Sequence, residues 1–99
     1  MIEVIHSSVQ KALKPYDDDA YEFISEVVNN FHDWKRGTFS IPELRLLVKV
    51  KQGWVKARKI MPGHTYVRQW NKYDGQQYIF RAKKSFHEFC VKHSLYPDD

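Results

Sequence analysis

An α+β fold, mostly helical, with two N-terminal helices leading into a helix-turn-helix and a β-hairpin, is what the residue order of this chain predicts. Three observations carry that prediction. Apolar residues recur at helical spacing through the first third. A Ser-x-x-Glu start and a Pro-Gly stop bracket two short helical segments between Ser40 and Gly63. Two aromatic-rich, alternating runs flank an Asp-Gly pair at 74–75. The 99 residues make one domain, with N-terminal helices over 1–36 and the helix-turn-helix with its hairpin over 38–95.

Ile2, Ile5, Val9 and Leu13 are spaced three to four apart, which predicts a first helix ended by Lys14-Pro15. Asp17 reads as the N-cap of a second, over about 18–34, with Asp18 and Asp19 in its first turn. Its stripe of Ala20, Phe23, Ile24, Val27, Val28, Phe31 and Trp34 is wide enough to close a core or to join two copies, and core is the simpler use. Lys35-Arg36-Gly37 stops it.

Ser40 and Glu43 make a capping box for a short helix carrying Leu44, Leu47 and Val48, and Val50–Gly53 is read as the turn. A second short helix, Gln52–Ile60, then places Trp54, Ala57 and Met61 on one face and Gln52, Val55, Lys56 and Lys59 on the other. After Pro62-Gly63, the runs 64–70 and 76–81 form a hairpin whose loop is Asn71–Gly75. A last helix over 83–93 turns Phe86, Phe89, Cys90 and His93 inward.

Charge divides along the chain. Residues 1–34 carry two lysines against seven acids, net −5, and residues 35–99 carry fourteen Lys/Arg against five acids, net +9. A basic second half suits a polyanion, because phosphate contacts supply most non-specific affinity for nucleic acid. A lone cysteine excludes a disulfide framework, and the absence of a signal-like start reads as cytoplasmic. No apolar run approaches a membrane span.

Catalytic and metal chemistry find little support. The series His87, Cys90, His93 drifts around a helix and lacks a fourth ligand for zinc. The three aspartates at 17–19 lack the further oxygen ligands of a calcium loop. No nucleophile, phosphate-loop or dinucleotide motif is present, so no enzyme and no cofactor are expected.

The run Trp54-Val55-Lys56-Ala57-Arg58-Lys59, then Met61 to Val67, and the segment Asp74-Gly75-Gln76-Gln77-Tyr78-Ile79-Phe80 resemble phage excisionase-type proteins and the MerR-like regulators that share their winged helix-turn-helix. The resemblance covers roughly Ser40 to Phe89. It implies a winged helix-turn-helix that binds double-stranded DNA in a bacterium or phage-infected cell, as an architectural factor or transcriptional regulator, beside an integrase or another protein. Gln52, Lys56 and Lys59 would then reach base edges, Val55 a thymine methyl, and Arg58 and Lys51 phosphates. Arg68, Lys72 and Gln76 would follow the minor groove from the wing. The acidic N-terminal helices would serve a homodimer or a basic partner. The alternative is a phage-type inhibitor or adaptor that uses the same fold to bind a host protein.

Overall fold

The structure, a computed structural model, describes residues 2–53 and 55–97. In chain order it holds β1 (Ile2–Lys11), β2 (Tyr16–Asp17), α1 (Tyr21–Asn29), a 3-10 turn at Phe31–Asp33 and α2 (Ile41–Gln52). Then come α3 (Val55–Arg58), β3 (Lys59–Ile60), β4 (Thr65–Tyr73), β5 (Gln76–Lys83) and α4 (Lys84–Lys92). The long strands form one antiparallel sheet in the order β1-β4-β5, and β2 pairs with β3 in a small second ladder.

The mostly helical winged helix-turn-helix is therefore not what forms. The first expected helix is the edge strand β1. Four of its residues, Ile2, Val4, Ile5 and Val9, are β-branched and suit a pleated surface. Its register slips between Val4 and His6, a bulge that shifts the alternation by one position. Ile5 is the unpaired residue of that bulge, while Ile2, Val4 and Val9 share one face, so the spacing of 2, 5 and 9 is not a single stripe. With a strand in first place, dimerisation through a pair of N-terminal helices also loses its basis. The second expected helix is real but short, and its buried Ile24 and Val27 are already used in the core.

The expected recognition helix is lost for a different reason. The capping box is in place, with Ser40 Oγ accepting from Glu43 N–H and Glu43 Oε1 accepting from Ser40 N–H. Nothing breaks the helix until Gly53, whose φ of 65° is the left-handed cap that glycine takes without strain. α2 thus runs through the expected turn and takes Gln52. Among the described residues α3 holds Val55–Arg58 alone, and Lys59–Ile60 is extended, pairing with Asp17 and Tyr16. Trp54, expected to anchor that helix, lies outside the described residues.

The hairpin is longer and tighter than its sequence suggests. Tyr73 pairs directly with Gln76, so the turn is Asp74-Gly75 alone, with φ of 51° and 82°. Two positive φ values make the turn whose twist matches that of the strands.

The core lies on one side of the sheet. Ile24 and Val27 of α1, Leu47 and Val50 of α2, Ala82 of β5, and Phe86, Phe89 and Cys90 of α4 form one buried cluster. Each fully buried large side chain there contributes about 1.5–3 kcal/mol. The molecule measures 38 × 33 × 18 Å. Its short dimension leaves room for a sheet and a single helical layer, because packed layers lie about 10 Å apart.

Two neighbouring aspartates join the layers. Asp18, with a fully buried side chain, accepts from Ala20 N–H at 3.0 Å, Lys83 N–H at 3.1 Å and Lys83 Nζ at 2.9 Å. Asp19 Oδ2 accepts from Arg81 N–H at 2.9 Å, while Asp19 N–H donates to Arg81 C=O at 2.7 Å. The acidic run thus straps the start of α1 to β5, and Asp17 lies in β2 rather than capping a helix.

Candidate nucleic-acid interface

Side chains alternate across a strand, so the register assigns each residue of the sheet to a face. Val67, Gln69 and Asn71 of β4 share the helix-covered face with Phe80 and Ala82 of β5. The other face carries Tyr66, Arg68, Trp70 and Lys72 of β4, Gln77, Ile79, Arg81 and Lys83 of β5, and Glu3, His6, Ser8 and Gln10 of β1. At one end this face is closed by the β2–β3 ladder, where Tyr16 and Ile60 pack on Tyr66 and Ala12. Towards the hairpin it is open, with Trp70 41% exposed and Lys72 and Gln77 exposed.

Arg68 and Arg81 stand directly opposite one another at the centre of that face. Like charges in such positions repel. Neither guanidinium forms an ion pair among the described residues. Asp19 lies close enough to Arg81 to interact with its charge, yet its carboxylate bonds the backbone N–H. The Arg81 guanidinium instead lies 4.3 Å from the Tyr16 ring centroid, and its Nε is buried without a partner. Lys14 Nζ approaches the same ring at 5.5 Å. Next to the arginines, Trp70 Nε1 donates to Gln77 Oε1 at 3.0 Å, which fixes an exposed indole beside the charge. The arrangement offers cations, amide hydrogen-bonding groups and an aromatic surface on one uncovered sheet.

The residues expected to bind DNA are scattered over the fold, and two of them meet. Lys51 and Gln52 end α2 on the helical side, where Lys51 lines a cleft with Val28 and Leu44. Val55, Lys56 and Arg58 belong to the four-residue α3. The side chains of Val55 and Lys56 lie outside the described set, and Arg58 is exposed. Lys59 is paired with the Asp17 carboxylate. Gln76 opposes Tyr73 and so projects from the other face of the hairpin. Among the described side chains of that set, Arg68 and Lys72 alone belong to the open face of the sheet. Arg81, Trp70 and Gln77 join them there, Arg81 without having been expected at the site. Counting outward from a two-residue turn at 74–75 pairs 68 with 81, and that is the signal in the sequence that finds Arg81.

His87, Cys90 and His93 are engaged elsewhere. His93 Nε2 meets Glu43 Oε2 at 2.5 Å and His87 Nδ1 meets the Tyr96 hydroxyl at 2.9 Å. Burial pushes the Cys90 thiol up to about 12. Burial also raises the Asp18 carboxyl and lowers the Lys83 ammonium, each resisted by the charge of the other. No group of three or more His, Cys, Asp or Glu is placed to hold a metal among the described residues, and no helix among them is long and apolar enough to cross a membrane.

No protein-family model, no curated protein and no solved structure matches this chain.

Proposed function

We propose that this protein binds double-stranded DNA through the open face of its sheet, with the β4–β5 ribbon in the major groove. The observation that supports this reading is the unneutralised, half-buried Arg68–Arg81 cross-strand pair on the sheet face away from the helices, flanked by Lys72 and Trp70. Two arginines held side by side repel in the free protein, and a polyanion removes that repulsion on binding. β-Sheet proteins can lay strands in a DNA groove, and in the major groove arginine bonds guanine bidentately. In this reading Arg68 and Arg81 face base edges near the middle of the ribbon. Lys72, nearer the hairpin tip, holds a phosphate, and Gln77 offers its amide to a neighbouring base.

The reading is tested by fluorescence anisotropy on a labelled duplex. Replacing Arg68 and Arg81 together by alanine is expected to weaken binding by about tenfold or more, as loss of bidentate arginine contacts does. Lys51→Ala with Gln52→Ala, at the end of α2, is expected to leave affinity within about twofold, since no phosphate contact is lost there. The reverse pattern overturns the assignment. Absence of duplex binding by the unaltered protein at low salt removes the function altogether.

A further inference from the structure

The helix-covered face of the sheet holds a cleft of opposite electrostatic character. It has a volume of about 500 Å³ and opens between the hairpin ends of the strands, the start of α1 and the segment following α4. Phe23, Tyr78, Phe80 and Tyr96 supply aromatic walls, and Phe23 and Phe80 each meet the Tyr96 ring edge-on at 5.4 Å. Among the described residues no lysine or arginine lines it, while Asp19 and Glu22 do, in a chain whose net charge is +4.

Asn71 also lines this cleft, and it is 3% exposed. Its Nδ2 donates to Gln69 Oε1 at 3.4 Å, a long bond, and its Oδ1 has no partner. Buried amides without partners are uncommon, because the lost hydration is not replaced. Three other polar side chains of the cleft are already taken. His87 and Tyr96 bond each other, and Asp19 holds the Arg81 backbone. One buried acceptor therefore remains at the wall of an aromatic cleft with an acidic rim.

We propose that this cleft binds a small planar aromatic cation, whose N–H group donates to Asn71 Oδ1 while its positive charge faces Asp19 and Glu22. The volume lies within the usual range for small-molecule sites, which are largely apolar with a few placed polar groups. Aromatic walls favour a planar body and attract a cation through their ring faces. The acidic rim disfavours anions, phosphate-bearing nucleotides among them. This site is independent of the DNA-binding reading, since it lies on the opposite face of the sheet.

Tryptamine is the probe, with indole-3-acetate as its anionic counterpart, each titrated by calorimetry and by amide chemical-shift changes. Tryptamine is expected to saturate the protein with a Kd below about 1 mM, reasonable for a ligand of this size. Indole-3-acetate is expected to bind about tenfold more weakly or worse, because its charge opposes the rim. Asn71→Leu, checked for folding by circular dichroism, is expected to weaken tryptamine by about tenfold, the usual loss for a buried hydrogen bond. Glu22→Gln, an exposed change without risk to the fold, is expected to weaken it by about threefold. No saturation below about 10 mM overturns the site, as an affinity that low marks non-specific association. Equal binding of the two probes, or unchanged affinity in both variants, overturns the assigned chemistry.

Discussion

Removing the Asp18 carboxylate tests how the helical layer is attached to the sheet. In Asp18→Ala, the backbone N–H groups of Ala20 and Lys83 and one bond of the Lys83 ammonium lose their acceptor together. Lys83 Nζ keeps the Ala57 carbonyl at 2.7 Å, but its charge is then uncompensated in a side chain 12% exposed. An unsatisfied buried donor costs about 1–3 kcal/mol, and a buried charge stripped of its partner about 3–5 kcal/mol. Because the groups share one acceptor, these costs overlap, and the expected loss is about 3–5 kcal/mol. That is a large part of the 5–15 kcal/mol typical of a domain, roughly. Urea unfolding measures it, as a midpoint lowered by about 1.5 M or more at an m-value of about 1–2 kcal/mol/M. Asp18→Leu with Lys83→Met removes both charges and is expected to recover more than half of the loss, as buried pairs replaced by apolar side chains do. A loss in Asp18→Ala below about 1 kcal/mol refutes the reasoning, since the site would then tolerate three orphaned donors.

Two further outcomes follow from the protonation of individual groups. Burial opposes the charged form of Glu43, but the bonds from Ser40 N–H, His93 and Lys92 outweigh it and hold the carboxyl down to about 2. A depressed folded value stabilises above the ordinary range near 4.5 and is lost as pH falls towards 2. Glu43→Gln is therefore expected to cost about 1–2 kcal/mol at pH 7, in line with loss of a cap, with the gap from the unaltered protein closing between about pH 4.5 and 2 in thermal or urea melts. Cys90, fully buried with its thiol held near 12, is expected to resist alkylation at pH 8 in the native protein and to react readily in urea.

Signals that act within a few residues were legible in the sequence. The Ser40–Glu43 box, the Asp74-Gly75 turn and the inward face of α4 each rest on contacts a few positions apart, and the structure contains all three. What escaped depends on partners distant in the chain. β1 is a strand because β4 pairs with it some sixty residues later, and its bulge disguises the alternation. α3 is cut short because Lys59–Ile60 finds Asp17 and Tyr16, more than forty residues away. The basic second half was visible as composition, but composition does not say which cations share a face. Register decides that within the sheet, bringing Arg81 opposite Arg68, while α2 carries Lys51 on the helical side.

The salt dependence of duplex binding tests the central claim most directly. Each phosphate neutralised adds about 0.9 to the steepness of log K against log salt. For the unaltered protein the account predicts a linear fall in affinity with rising salt. Arg68→Ala with Lys72→Ala is predicted to reduce the steepness by about 0.9, since Lys72 meets a phosphate and Arg68 a base edge. A slope unchanged in that variant, or affinity indifferent to salt throughout, contradicts the account.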